Sequence, residues 1–109
     1  MPTPLFVTAQ DPELPSLLKP GPSRAVFATQ KQLRTVLGLK PGPMVILLDE
    51  TQSELVGGLS RTDVRAVAIV TPGKVPVIFH WPVIAVVERP LSQERLLGTL
   101  KRALTELEA

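Results

Sequence analysis

Two carboxylates, Asp49 and Glu50, close an unbroken apolar run, Met44-Val-Ile-Leu-Leu48, that is opened by Gly42-Pro43. Such a run predicts a strand buried on both faces, as in the middle of a parallel sheet covered by helices. Open α/β sheets place their ligand crevice beyond the C-terminal ends of such strands, which makes Asp49 the first candidate for chemistry. The competing reading is that Asp49 or Glu50 begins a loop and caps the helix after it. Thr71 follows a second apolar run, Val64–Val70, and Arg89 follows a third, Val83–Val87. A crevice above Ala9, Asp49 and Thr71 is one place for a nucleotide or other small anion. No Gly-rich phosphate loop follows any strand, and Gly57-Gly58 lies inside a helix candidate, so this use ranks last.

Composition removes other chemistries. There is no cysteine, which excludes disulfides, thiol catalysis and cysteine-ligated metals. A single histidine, His80, argues against a histidine-rich metal site. No activated nucleophile, base pair or cofactor fingerprint marks a hydrolase or an oxidoreductase, so the expectation is a chain that is not an enzyme and holds no cofactor. The 12 basic and 10 acidic residues read as spread along the chain, with a formal net charge of +2, which argues against a nucleic-acid footprint. No run approaches the roughly 18 apolar residues of a membrane span, and the N-terminus lacks the pattern of a signal peptide. A cytoplasmic protein is expected. Twelve prolines and no asparagine fit a heat-adapted source.

The elements that must position these residues follow in order. Leu5–Ala9 reads as a first strand, followed by Asp11 as N-cap and Pro12 at the first position of a helix no more than two turns long. Arg24–Ala28 reads as a second strand. Thr29-Gln-Lys-Gln32 matches a capping box ahead of Leu33, Val36 and Leu37 on one helical face. Thr51-Gln-Ser-Glu54 matches another. Pro72, Pro76 and Pro82 forbid a regular helix across Lys74–Pro82, where Val75, Val77, Phe79 and Trp81 alternate as in an extended edge segment. The strongest helix signal is the last: Ser92 as N-cap, then Leu96, Leu97, Leu100, Ala103, Leu104 and Leu107 on one face. Strand alternates with helix throughout, which predicts one doubly wound α/β domain over residues 1–109, with a parallel sheet centred on Met44–Leu48 and Val83–Val87 towards one edge.

This order resembles the receiver domains of two-component response regulators over nearly the whole chain. Val45-Ile-Leu-Leu-Asp49 resembles the family's third strand with its phosphoacceptor aspartate, and Ala68-Ile-Val-Thr71 its fourth. Arg89-Pro-Leu-Ser92 resembles the Lys-Pro turn before the fifth helix. Asp11-Pro-Glu-Leu14 resembles the start of the first helix. The resemblance implies a flavodoxin-like sheet of five parallel strands in the order 2-1-3-4-5, here with the fourth helix lost.

The departures imply a degenerate, or pseudo-, receiver. Ala9 and Gln10 stand where the family has two acids that hold magnesium, and neither offers an anionic oxygen. Arg89 stands where the family has Lys, which changes reach and geometry. The implied function is a non-catalytic module for protein–protein interaction or self-association. Its binding surface would be the Lys74–Trp81 segment, with Phe79 and Trp81, together with Arg95 and Arg102 on the last helix. The alternative is a working receiver phosphorylated at Asp49 with Thr71 and Arg89, in which Asp11, Asp49 and Glu50 would hold the magnesium ion.

Overall fold

The computed structural model describes residues 3–21, 25–39, 42–55, 62–73 and 81–108. Five strands, β1 (Leu5–Val7), β2 (Ala25–Phe27), β3 (Met44–Asp49), β4 (Val64–Val70) and β5 (Val83–Glu88), form one sheet. All neighbours are parallel and the order is β2-β1-β3-β4-β5, the flavodoxin-like topology of a doubly wound α/β fold. Three α-helices, α1 (Leu14–Leu18), α2 (Gln30–Leu39) and α3 (Gln93–Glu108), and a 3-10 helix (Glu50–Leu55) accompany it. The expected loss of a fourth helix, and the extended course expected across Lys74–Pro82, fall mainly on residues 74–80, outside the described residues.

The central strand is buried along its whole length, as an unbroken apolar run requires. Its side chains alternate between two cores. Val45 and Leu47 pack with Val7, Ile69 and Val87 beneath α1 and α3, through Leu14, Leu18, Leu96, Leu100 and Leu104. Met44, Ile46 and Leu48 pack with Phe6, Val64 and Ala66 beneath α2, through Leu33, Val36 and Leu37. A strand repeats every two residues, so neither layer of helices can be lost without exposing half of β3. Before β3, Gly42 adopts φ 113°, a conformation that favours glycine, and its N–H donates to Asp63 Oδ2 at 3.2 Å.

The expected capping box at α2 is formed. Gln32 N–H donates to Thr29 Oγ1 at 3.1 Å, and Thr29 N–H donates to Gln32 Oε1 at 2.9 Å. The long amphipathic α3 is present from Gln93, with Ser92 in the preceding position and Leu91 packed on the same core as Leu96. Two other local expectations are overturned. Asp11 does not cap α1; the N-cap position is Glu13, whose side chain makes no capping bond. Over residues 51–55 the Thr51–Glu54 box opens a 3-10 helix and not an α-helix, and the rest of that helix candidate, with Val56 and Leu59, lies outside the described residues. Thr51 N–H donates to Asp49 Oδ1 at 2.8 Å, so the strand's own terminal carboxylate caps a 3-10 helix.

Truncating the centre of β3 should therefore be severe. Leu47→Ala is expected to lower stability by about 2–5 kcal/mol in urea denaturation. Val86→Ala, at a side chain 47% exposed on the edge strand, is expected to cost about 0.5 kcal/mol or less.

Candidate functional site

Parallel strands deliver all their C-terminal ends to one side of the sheet, so residues distant in sequence meet there. Asp11 comes from the loop after β1, Glu50 from the turn after β3, Thr71 from the end of β4 and Arg89 from the end of β5. The Arg89 backbone is held by its own N–H, which donates to Val70 C=O at 2.8 Å and extends the β4–β5 ladder. The peptide bond from Arg89 to Pro90 is cis. From this anchor the guanidinium reaches back across the crevice.

Its contacts use both edges of the fork. Nε and Nη2 donate to Asp11 Oδ2 and Oδ1 at 2.8 and 2.9 Å, a bidentate pair. Nη1 donates to Glu50 Oε2 at 2.9 Å and to Thr71 Oγ1 at 2.8 Å. The Thr71 hydroxyl in turn donates to Glu50 Oε1 at 3.1 Å. Thus the two carboxylates and the hydroxyl are bound to one cation supplied by the chain itself. The partners are Asp11 and Glu50, not the sequence neighbour Glu88, because the guanidinium points across the sheet ends.

The protonation states follow from these contacts. Hydrogen bonds from Arg89 hold the Asp11 carboxyl below its ordinary range, against the opposing effect of burial. Burial works against the charged form of Glu50. The hydrogen bonds from Arg89, the backbone and Thr71 outweigh it and leave Glu50 lowered as well. Arg89 is raised, chiefly by the bonds to Asp11, and stays charged.

Asp49 is buried at the end of β3 and engaged locally. Its Oδ1 accepts from both the N–H and the hydroxyl of Thr51. Beneath it lies a polar network that sequence reading missed. Buried Gln52 accepts at Oε1 from Asp49 N–H at 3.2 Å and from the Thr8 hydroxyl at 2.9 Å, while its Nε2 donates to Thr8 C=O at 2.9 Å. These bonds staple the turn after β3 to the end of β1. The available signal was Thr8, a polar residue at the close of the apolar run Leu5–Val7, where a hydroxyl must find a partner.

Asp11 and Glu50 face one guanidinium at this end of the sheet, with Asp49 beside them turned to Thr51, so among these residues negative charge outweighs positive. That sign opposes an anionic ligand. The donor set does not fit a divalent cation either. Asp11 and Glu50 bracket the guanidinium, Asp49 turns to Thr51, and among the described residues no three acidic or histidine side chains are grouped to hold a metal ion. The remaining candidates lie elsewhere. Arg95 and Arg102 are exposed on α3 and line an open groove of about 720 Å³ with Val86, Glu88 and Gly98. Trp81 is 45% exposed at the other end of β5, with the Arg65 guanidinium 4.4 Å from its ring centre. Phe79 and His80 lie outside the described residues. Compared with known proteins, the chain matches no family model and no curated protein sequence.

The ion cluster makes a pH-dependent prediction. Asp11 and Glu50 have folded values below their ordinary 3.8 and 4.5, so their stabilisation is present above that range and is lost as pH falls through the lower folded values. Arg89→Met leaves two carboxylates without their cation. It is expected to cost about 1–3 kcal/mol at pH 7 in chemical denaturation. The gap from wild type should narrow as acid neutralises the carboxylates; a gap constant from pH 7 to below both ordinary values would refute the assignment.

Proposed function

We propose that the chain is a pseudo-receiver, a receiver-like module that acts by binding a protein partner and not by phosphotransfer. The observation that carries this reading is the Arg89 guanidinium seated between Asp11 and Glu50. Phosphoryl transfer to a carboxylate relies on a divalent cation to neutralise the charge that crowds onto the acceptor. To bind here, that cation must first displace a bidentate, charge-assisted pair from Asp11 and a further ion pair from Glu50. Thr71 is engaged by the same cluster, and Asp49 by Thr51.

For the partner surface, the outer face of α3 with Arg95 and Arg102 is the leading candidate, beside the half-exposed Val86. Arginine and tryptophan dominate binding energy at protein interfaces, and the half-exposed Trp81 gives this side of the sheet both residue types.

The alternative, a receiver phosphorylated at Asp49, is decided by one experiment. The protein is incubated with acetyl phosphate and magnesium, and the intact mass is read. No phosphoryl adduct is expected on the wild type. A stoichiometric adduct that disappears in Asp49→Asn would overturn the proposal in favour of phosphotransfer.

A further inference from the structure

Charge is segregated along the chain and not evenly spread. From Leu14 to Leu48 there is no acidic residue, and there are five basic ones, Lys19, Arg24, Lys31, Arg34 and Lys40. All 10 acids lie outside that stretch. It builds α1, β2 and α2, and so forms the β2 edge of the sheet. Helices α1 and α2 pack on opposite faces of the sheet, which places exposed Lys19, at the end of α1, on one face and exposed Lys31 and Arg34 on the other.

The strand between them is unfinished. β2 pairs only with β1 among the described residues. Ala28 N–H donates to Val7 C=O at 2.9 Å, so by alternation Val26 also faces β1. The N–H and C=O groups of Ala25 and Phe27 therefore face outward, along an edge that a further strand can extend. Val26 and Phe27 are 42% and 49% exposed, on opposite faces of the strand. Phe27 also forms one wall of a groove of about 410 Å³ lined by Pro12, Pro15 and Ala28. Of the five polar residues at the groove, Thr8 bonds to Gln52, Asp11 is neutralised by Arg89, and Thr29 and Gln32 bond to each other, which leaves Gln10 and a largely apolar slot.

We propose that this edge docks an extended acidic segment of a partner protein. The segment's backbone pairs with Ala25 and Phe27. One of its apolar side chains enters the slot beside Phe27, and its acidic side chains face Lys19, Lys31 and Arg34. A second copy of this chain is disfavoured as occupant, because it would bring an equally basic edge against this one. Single-stranded nucleic acid is disfavoured because it binds on a platform of several stacked aromatics, and Phe27 is the only aromatic residue of this stretch. The site lies at the opposite edge of the sheet from the outer face of α3, so the two surfaces stand or fall separately.

The test is fluorescence anisotropy with a labelled synthetic peptide alternating Glu with Val, a Lys–Val counterpart and labelled oligo(dT). Saturable binding of the Glu–Val peptide that weakens with added salt is expected. Phe27→Pro removes an N–H that faces outward and spares the β1 ladder, and should abolish binding. Lys31→Glu with Arg34→Glu changes only exposed side chains, and should weaken binding by about tenfold or more. Hydrogen exchange at Phe27 should slow when the peptide binds. The proposal is overturned by no saturable binding, by equal binding of the Lys–Val peptide, by preferred binding of oligo(dT), or by an affinity indifferent to the charge reversal.

Discussion

Carboxylates gathered at the C-terminal edge of a parallel sheet repel one another unless a cation lies between them. Here the cation is Arg89, and the crevice is organised around it. It binds Asp11, 78 residues away, and Glu50, 39 residues away, so the loops after β1, β3 and β5 share one ion cluster, with Thr71 adding the end of β4. A side-chain cation differs from a metal ion in a way that matters for function. It is tethered, it is always charged, and it donates from a planar fork that matches carboxylates. Its Nε, Nη1 and Nη2 are each engaged by Asp11, Glu50 or Thr71. The arrangement ties the ends of four strands together through Asp11, Glu50, Thr71 and Arg89.

The rest of the molecule positions that cluster. β3 is buried on both faces and sets Asp49 and Glu50 at its end. Gln52 and Thr8 then lock the following turn against β1, which keeps Glu50 in reach of Arg89. α3 packs Leu96, Leu100 and Leu104 into the core beside α1, and Gln93 Nε2 donates to Leu17 C=O at 3.2 Å, which ties the two helices that follow Arg89 and Asp11. These bonds contrast with the basic β2 edge, where among the described residues the ladder ends and Val26 and Phe27 remain half exposed.

Periodicity made the architecture legible. The apolar runs of β3 and β4, the face of α3 and the Thr29–Gln32 box are local patterns, and local patterns survive folding when the tertiary environment agrees with them. The site was less legible because its bonds are long-range. Asp11-Pro12 carries a sound cap signal, yet a bidentate guanidinium is a stronger partner for a carboxylate than helix N–H groups. Thr51–Glu54 matches a capping box, but Asp49 lies two residues closer to the turn and takes the Thr51 N–H first. Nothing within a few residues of Gln52 marks it as a buried link to Thr8, 44 residues earlier. The charge asymmetry was in the sequence throughout; it acquires meaning only once α1, β2 and α2 are seen to share one edge.

The account rests on a direct ionic coupling between Asp11 and Arg89, and a double-mutant cycle measures it. Asp11→Asn, Arg89→Gln and the double variant are compared with the wild type by denaturant unfolding at pH 7. A coupling energy of about 1–3 kcal/mol is predicted, as for charge-assisted partners in one network. A coupling indistinguishable from zero would contradict the account, because it would mean that Arg89 does not serve as the internal cation of the crevice.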